Sequence, residues 1–420
     1  MLYFLFLYNL TLKYVNQLKD SATVYYSNEF PHVGSWTVFP LITTLLNTQE
    51  NDTSWYIFLH DNTWIDIKSL QTVLNKYDSK KKIWLGHAVF DREPSITHHF
   101  DFVDDPSKKF KYPISASGFI ISSSLLKSIG ERILNEKTEI DFSIDFIYEL
   151  SKLIWDNGNG VKVTHEPSFC PSVTSNCTTY PVIYYPCKDI VSKNSIYFAV
   201  KTFHGYHDTR LPIVKDTWAK HTPHVGFFSD IEDKNYGTIS VNVPNSDKGH
   251  CIKTIKIIEN VAEIMKSNKN YKWLFIVDDD TILSVTRVRQ FLSCYDENEN
   301  VAIGERYGYN VVSGWGYNYL TGGAGILISR PLVEKLSTEG CHCPSVSSPD
   351  DMVLGLCFKK LDVDVIHSPY FHQARPNDYT PEYLEGQKPI TFHKYWMLDP
   401  FNVYQKWFLS KDVEEVKDEL

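Results

Sequence analysis

The sequence predicts an α/β protein of two tandem Rossmann-like domains, each a mostly parallel sheet with helices on both faces. Three observations carry this prediction: apolar strands alternate with amphipathic helices, the two halves of the chain repeat one another, and a stretch rich in Gly, Pro, Ser and Thr separates them. The length of 420 residues also exceeds one typical core. We expect a first domain at 1–155, a cysteine-containing linker at 156–194, a second domain at 195–410 and a tail at 411–420.

The internal repeat is visible when the chain is shifted by 218 positions. The stretch WYIFLHDNTWI from Trp55 then aligns with WLFIVDDDTIL from Trp273, and Gly86 aligns with Gly304. Two later blocks repeat in the same order: SGFIIS with AGILIS, and HEPSFC with HSPYFH. Three blocks in one order favour duplication over two unrelated α/β segments.

The elements of the second copy follow from the spacing of its apolar residues. SIYFAV and VGFFSD are short apolar runs typical of buried strands, whereas LPIVKDTWAK and HCIKTIKIIENVAEIMK have helical periodicity. WLFIVDDD is another buried strand that ends in three acids. The order of strand, helix, strand and helix is typical of a doubly wound sheet, in which ligands bind at the carboxyl ends of the strands.

The bulk composition excludes some classes of function. With 43% hydrophobic residues and a net charge of -9, the chain has a globular composition and lacks the basic surface that nucleic-acid binding needs. The first twenty residues are apolar but interrupted, and they lack a basic n-region. They fit either a weak signal peptide or an altered N-terminus, and we expect no nucleic-acid partner and no stable membrane span.

Two features of the sequence indicate the cellular compartment: the carboxyl terminus and the cysteines. The chain ends in KDEL, which a receptor reads to return soluble proteins to the lumen of the endoplasmic reticulum. Eight cysteines fit disulfides in that lumen, with the pairing undetermined, and three glycosylation sequons fit a glycoprotein, at Asn9, Asn51 and Asn176. We therefore expect a lumenal protein with the KDEL receptor as a partner.

Asp278, Asp279 and Asp280 are the strongest functional signal. Three carboxylates at the end of a buried strand repel one another unless a cation neutralises them, and oxygen ligands suit Mn²⁺ or Mg²⁺. Such an ion completes its shell with substrate phosphates, which indicates a nucleotide-diphosphate ligand. The alternative is an acidic turn that caps the following helix.

Other polar residues in the second copy point to the same chemistry. Asp350 and Asp351 open a predicted helix, where one acid caps and the other is free to act as a general base. Gly322 and Gly323 lie in a turn where backbone can approach a ligand, and His372 is a candidate third metal ligand.

The first copy is the internal control for these assignments. His60 replaces Asp278, Asn62 replaces Asp280, and Cys170 replaces His372, while the apolar pattern is retained. Acids that served only the fold would be needed in both copies. The sequence therefore predicts a metal site in the second copy and a degenerate, non-catalytic first copy.

These residues resemble the fringe-type β-1,3-glycosyltransferases. The resemblance rests on WLFIVDDDT, TGGAGILIS, SPDDMVLG and YFHQ, and it extends over most of the chain through GHCIKT, LSCYD, GERYGY, HSPYFHQARPNDY and PITFHKYW. Within the family it is similar to the branch that adds glucose to O-linked fucose on thrombospondin type 1 repeats. The aspartate motif alone is shared by many glycosyltransferases, whereas the combination is specific.

The resemblance implies two GT-A domains and an inverting, metal-dependent transfer from UDP-glucose to a folded, O-fucosylated thrombospondin type 1 repeat. Asp351 corresponds to the catalytic base of the family, and Asp350 is the alternative candidate for that role. Mn²⁺, or Mg²⁺, would be held by Asp280, Asp278 and His372. The nucleotide sugar would be bound by Thr202, Arg210, Lys253, Asp279, Gly322 and Gly323, of which Asp279 would face the ribose.

Two alternatives stay open at the level of the sequence. One is a related transferase that uses UDP-galactose or UDP-N-acetylglucosamine on another acceptor. The other is a lumenal lectin or folding factor without turnover, in which neither copy is catalytic. The intact set of Asp278–Asp280, Asp351 and His372 favours an enzyme over the second alternative.

Overall fold

The computed structural model describes residues 2–6, 22–47, 53–136, 140–183, 186–246 and 248–413. The chain divides into two compact units. Unit 1 comprises Met1–Tyr184, Gly308–Gly316 and Asn377–Lys388, and unit 2 comprises Tyr185–Tyr307, Tyr317–Pro376 and Pro389–Leu420. The first change of unit falls inside the stretch 156–194 predicted as a linker. Two short segments of the C-terminal half belong to unit 1, which the predicted boundaries do not include. The KDEL tail and the sequons at Asn9 and Asn51 lie outside the described residues.

A seven-stranded mixed sheet is the centre of unit 2. Its strands lie in the order Thr238–Ser240, Val225–Ser229, Ile196–Lys201, Trp273–Asp278, Ile326–Ser329, Ala302–Gly304 and Val365–His367. Four neighbouring pairs are parallel. Ile326–Ser329 runs antiparallel to both of its neighbours. The sheet is therefore mostly parallel, as predicted, with one reversed strand whose direction the apolar pattern does not encode.

Unit 1 contains a six-stranded sheet with the same connectivity. Its order is Thr164–His165, Trp84–Gly86, Phe119–Ser122, Trp55–Leu59, Leu2–Phe6 and Ala22–Tyr26. Each pair has the same direction as its counterpart in unit 2, including the reversed strand Phe119–Ser122. The registers also agree, because Trp55 lies opposite Ser122 just as Trp273 lies opposite Ser329.

Helices and short strand pairs complete the two units. The helices of unit 1 are Phe39–Asn47, Ile67–Leu74, Ser123–Asn135, Phe146–Trp155 and Pro381–Glu385. Those of unit 2 are Leu211–Asp216, Cys251–Ser267, Val285–Leu292, Arg330–Thr338, Asp350–Lys360 and Pro400–Tyr404. Short antiparallel pairs join Thr63–Ile65 to Thr179–Pro181, Ala88–Val89 to Tyr112–Pro113, and Thr281–Leu283 to Thr391–His393. The remaining short strands are Phe142–Ser143, Arg306–Tyr309 and Tyr317–Leu320. Among the described residues, every helix is too short or too polar to cross a bilayer.

The core of unit 2 fixes the strand that carries the three aspartates. Trp273–Asp278 is buried along its apolar residues, and only its last residue is partly exposed. The Cys251–Ser267 helix packs its apolar face into the same core, with Ile257, Val261 and Met265 fully buried. Each such side chain contributes about 1.5–3 kcal/mol on burial. Packing thus fixes the strand while its acidic end projects at the edge of the sheet.

All eight cysteines form disulfides, which confirms the sequence prediction and supplies the pairing that the sequence left open. The pairs are Cys170–Cys177, Cys187–Cys294, Cys251–Cys343 and Cys341–Cys357. The segment Cys341–Cys343 is thereby tied both to the start of the Cys251–Ser267 helix and to the middle of the Asp350–Lys360 helix. These two helices carry polar residues of the candidate site described below.

We expect the disulfides of unit 2 to stabilise it according to the length of chain that each encloses. The Cys251–Cys343 bond spans 92 residues and the Cys341–Cys357 bond spans 16. Loop-closure entropy then predicts losses of about 4–5 and about 3 kcal/mol on paired replacement by Ala. Equilibrium unfolding in guanidinium chloride would measure the difference. A larger loss for the Cys341→Ala, Cys357→Ala variant would contradict the entropic account.

Candidate active site

A cavity of about 410 Å³ lies at the carboxyl ends of the central strands of unit 2. Strand ends at this edge place polar side chains and backbone groups around one space, as expected of an open α/β sheet. The lining residues are Lys201, Thr202, Phe203, Tyr206, Arg210, Asn245, Ser246, His250, Lys253, Asp278, Asp279, Asp280 and His393. All six nucleotide or metal residues that the sequence predicts before Gly322 therefore lie around one cavity.

Asp278, Asp280 and His393 form a set of ligand atoms within 4.8 Å of one another. The imidazole Nε2 of His393 lies 3.1 Å from Oδ1 of Asp280 and 3.6 Å from Oδ2 of Asp278. Burial disfavours the charge on Asp280, but His393 and Arg210 outweigh it and lower the pKa of that carboxyl to about 2. Two carboxylates and one imidazole at this spacing fit a divalent cation such as Mn²⁺.

His393, and not the predicted His372, completes this set. His372 is fully buried, and its ring stacks on Phe392 with 4.9 Å between the ring centroids. Its backbone carbonyl accepts a hydrogen bond from the amide of His393. His393 reaches the acids because Thr391–His393 pairs antiparallel with Thr281–Leu283, which places His393 opposite Thr281. The correction follows from a pairing between strands that are more than a hundred residues apart.

The glycine turn makes room for this imidazole. A β-carbon at Gly323 would clash with the ring of His393. The hydroxyl of Thr281 donates a hydrogen bond of 2.9 Å to the carbonyl oxygen of Gly323, which holds the turn beside the aspartates. Gly322 is less crowded, since a β-carbon there would lie 4.0 Å from that of Asp351. The two predicted glycines therefore border the site, one against the metal set and one against the candidate base.

Asp279 lines the cavity, but both of its carboxylate oxygens are held by protein groups. The expectation that it faces a ribose stays a prediction. One of its carboxylate oxygens accepts a hydrogen bond of 2.6 Å from Thr202, and the other accepts one of 2.7 Å from Arg210. Burial raises the pKa of Asp279 to about 6 against the effect of these partners. Arg210 also lies 3.0 Å from Asp280 and stacks on the ring of Tyr206. Asp279 thus holds Arg210 in place at the edge of the cavity.

Lys253 is likewise satisfied by protein groups. Its ammonium donates to the carbonyl oxygen of Thr202 and to the side chain of Asn245, at 2.9 and 3.0 Å. Burial lowers the pKa of Lys253 from its usual value. The lysine therefore supports the wall of the cavity that contains Thr202, in addition to lining it.

The structure distinguishes the two acids that open the Asp350–Lys360 helix. Asp350 accepts hydrogen bonds from Lys201 and Thr254, at 2.5 and 2.6 Å. These partners, led by the charge of Lys201, outweigh burial and lower its pKa to about 2. Burial and the charge of Asp350 instead raise the pKa of Asp351 to about 6, although the amide of Met352 donates to its Oδ1. Asp351 is therefore the better proton acceptor near neutral pH.

Three residues that contribute to this geometry were absent from the sequence prediction. They are Lys201, Thr254 and His393. Lys201 ends the Ile196–Lys201 strand and contacts both Asp278 and Asp350. The stretch PITFHKYW contains His393, but a histidine motif alone does not say which strand it pairs with. For Lys201 and Thr254 the sequence contains no signal beyond their polarity within apolar runs.

Unit 1 lacks the corresponding ligands. In its equivalent strand pair, Pro181 lies opposite Thr63, just as His393 lies opposite Thr281 in unit 2. His60 and Asn62 stand at the positions of Asp278 and Asp280. Burial lowers the pKa of His60 to about 4, so this imidazole is neutral in its pocket. The carboxylate pair and the histidine that form the set in unit 2 are all replaced.

Comparison with known proteins agrees with this site. The family model described as fringe-like matches residues 40–148 and 191–417, which is most of the chain. The chain belongs to the fringe-like family. A human protein named beta-1,3-glucosyltransferase is 42% identical over 92% of this chain and 77% of its own length. The mouse protein of the same name is 41% identical over 92% of this chain and 78% of its own.

More distant relatives and solved structures complete the comparison. A zebrafish beta-1,3-N-acetylglucosaminyltransferase, lunatic fringe, is 30% identical over 49% of this chain and 61% of its own length. A glycosyltransferase involved in the glycosylation of the major capsid of PBCV-1 covers 50% of this chain and 98% of its own, with 14% identity and a TM-score of 0.32. That last likeness is too low to transfer a function.

The family assignment confirms the predicted enzyme class. The chain is a glycosyltransferase of a family whose named relatives form β-1,3 linkages. The predicted transfer of glucose agrees with the names of the human and mouse relatives.

Proposed function

We propose that unit 2 transfers glucose from UDP-glucose, in β-1,3 linkage and with inversion, to O-linked fucose on folded thrombospondin type 1 repeats. The observation that carries the proposal is the Asp278, Asp280 and His393 set in the cavity of a fringe-like chain, which Lys201 connects to Asp350, the neighbour of Asp351. The human and mouse relatives support glucose as the sugar. The fucose acceptor and the repeat rest on the sequence resemblance described above.

In this proposal Asp351 is the base. The carboxylate takes the proton of the fucose 3-hydroxyl while that oxygen forms a bond to the anomeric carbon of the donor. The bond between that carbon and the diphosphate breaks, and UDP leaves with the electron pair. A raised pKa of about 6 leaves Asp351 largely ionised at neutral pH and still basic enough to accept a proton.

The metal requirement follows from the chemistry of the donor set. Asp278, Asp280 and His393 supply two hard oxygens and one imidazole nitrogen within 4.8 Å of one another, which suits Mn²⁺ or Mg²⁺. A bound cation would neutralise charge on the diphosphate of the leaving group. Arg210, 3.0 Å from Asp280, adds a fixed positive charge at the same edge of the cavity.

We further propose that unit 1 is a degenerate GT-A-like copy of unit 2. Support comes from the shared order and directions of their strands and from the loss of the acidic and histidine ligands at His60, Asn62 and Pro181. The enzyme would act in the lumen of the endoplasmic reticulum, where the KDEL tail would bind its receptor and the four disulfides would form.

The deciding experiment is UDP release by the full chain with Mn²⁺. Each UDP-sugar is supplied in turn, with a folded, O-fucosylated thrombospondin type 1 repeat as acceptor and the same repeat without fucose as control. We expect turnover with UDP-glucose, dependent on fucose and abolished by a chelator. Turnover only with UDP-galactose or only with UDP-N-acetylglucosamine would show that this sugar, and not glucose, is the one transferred. A folded protein that binds the repeat without any turnover would support the lectin alternative.

The degenerate role of unit 1 predicts unequal effects of one substitution at equivalent positions. Asp279→Asn weakens the contact to Arg210 and should lower kcat/KM about tenfold, in keeping with the loss of one charge-assisted hydrogen bond. Asp61→Asn, at the matching position of unit 1, should leave UDP release within twofold of the wild type. Steady-state kinetics on both variants would show the contrast, and a comparable loss for Asp61→Asn would contradict a non-catalytic unit 1.

A further inference from the structure

Lys201 is a buried cation between two carboxylates that have different roles. Its Nζ lies 2.5 Å from Oδ2 of Asp350 and 3.0 Å from Oδ1 of Asp278, and its side chain is only 9% exposed. Asp278 belongs to the candidate metal set, and Asp350 begins the helix whose second residue is the candidate base Asp351. Lys201 is therefore the group that joins these two parts of the site.

The contact to Asp278 fixes the orientation of that carboxylate. Lys201 lies against Oδ1, and the opposite oxygen, Oδ2, lies 3.6 Å from Nε2 of His393. A carboxylate held on one side by an ammonium presents its other oxygen in a fixed direction. Groups that orient a ligand in this way are known to change metal affinity and activity about 10–100-fold when they are removed.

The contact to Asp350 fixes the start of the helix. Asp350 is held by Lys201 and by the hydroxyl of Thr254 on the neighbouring Cys251–Ser267 helix. Since Asp351 is the next residue, its position relative to the metal set depends on this anchor. Gly322 leaves the space open, because a β-carbon there would stand 3.9 Å from Nζ of Lys201 and 4.0 Å from the β-carbon of Asp351.

We propose that Lys201 is a positioning residue that sets the placement of the base Asp351 relative to the metal ligand Asp278, through its simultaneous contacts with Asp278 and Asp350. This inference rests on the proposed function of the site. Lys201 acts through these two residues, because both of its short contacts are to their carboxylates. A neutral side chain would leave these two partly buried acids without their shared counterion.

A double-mutant cycle on the full chain tests this inference. The variants are Lys201→Met, Asp350→Asn and the double variant, with Lys215→Met as the matched control. Lys215 is a partly buried lysine of unit 2 outside the cavity, and its ammonium donates to the carbonyl oxygen of Tyr236. Thermal unfolding is recorded for each variant, so that kinetic and binding constants are compared on folded protein.

The expected results separate the two contacts of Lys201. Lys201→Met should lower kcat about 10–100-fold and weaken Mn²⁺ binding, measured by calorimetry with Mn²⁺ alone, by a similar factor. Asp350→Asn should lower kcat but keep Mn²⁺ affinity within about threefold, because Lys201 still holds Asp278. The double variant should have a kcat close to that of Lys201→Met, since residues acting as one unit are not additive. Lys215→Met should behave as the wild type.

Three results would overturn the inference. They are additive losses in the cycle, a change confined to the KM for the UDP-sugar, or Mn²⁺ affinity and kcat that are unchanged in Lys201→Met. The second result would make Lys201 a direct contact of the donor. The failure of the proposed function would look different, because the wild type itself would then release no UDP from any donor while calorimetry would still report the effect of Lys201 on Mn²⁺ binding.

Discussion

Replacing Asp351 by Asn is expected to lower kcat for UDP release by about 10²–10⁴-fold, the range attributed to a positioned general base. Asn keeps the size of the side chain and its hydrogen bond from the amide of Met352, but it cannot accept the proton of the acceptor hydroxyl. Binding of the donor should change little, because Asp351 lies outside the cluster of Arg210, Asp279 and Asp280. Steady-state kinetics, with UDP binding by calorimetry, would separate these effects.

The pH dependence of the wild type supplies a second readout for Asp351. Burial and the charge of Asp350 raise its pKa to about 6. A base works when it is deprotonated, so kcat/KM should rise with pH through about 6 and reach a plateau above it. The exposed Asp364→Asn is the matched control and should keep both rate and profile. If kcat/KM of the wild type instead rose near pH 4, and Asp351→Asn stayed active, the base would be a group other than Asp351.

Replacing His393 by Ala is expected to abolish most metal-dependent turnover. The variant removes one of three ligand atoms and should weaken Mn²⁺ binding by more than the 10–100-fold loss that is usual for an outer-shell partner. Asp280→Asn should behave similarly, because its carboxylate faces the same imidazole at 3.1 Å. Calorimetry with Mn²⁺ and UDP release at saturating donor would measure both effects.

His372 provides the decisive comparison, because the sequence pattern alone favours it as the ligand. His372→Phe preserves a ring that stacks on Phe392 and should retain Mn²⁺ affinity within about threefold, whereas His372→Ala should lower the free energy of unfolding by about 3 kcal/mol. If His372→Phe loses the metal and His393→Ala retains it, the assignment of the metal set is wrong. Denaturant unfolding of each variant separates loss of fold from loss of ligand.

The sequence supplied much of the site because its signals are local. Three acids after an apolar strand and two acids at the start of a helix can be recognised within a dozen residues, and the repeat shows which of them unit 1 has lost. The choice between Asp350 and Asp351 is not local. Successive residues of a helix point in different directions, so the acid that meets Lys201 and Thr254 is set by how the helix packs.

By itself the sequence determined the α/β class, the repeat, the family and the acidic positions, since periodicity and short motifs encode strands, helices and turns. Only the tertiary structure places His393, and not His372, beside Asp278 and Asp280. It alone also shows that Asp279 bonds Thr202 and Arg210, and that Lys201 contacts two acids. The pairing of the eight cysteines and the antiparallel direction of Ile326–Ser329 are likewise visible only in the tertiary structure. Each depends on which distant segments pair and pack together, and spacing along the chain does not specify this.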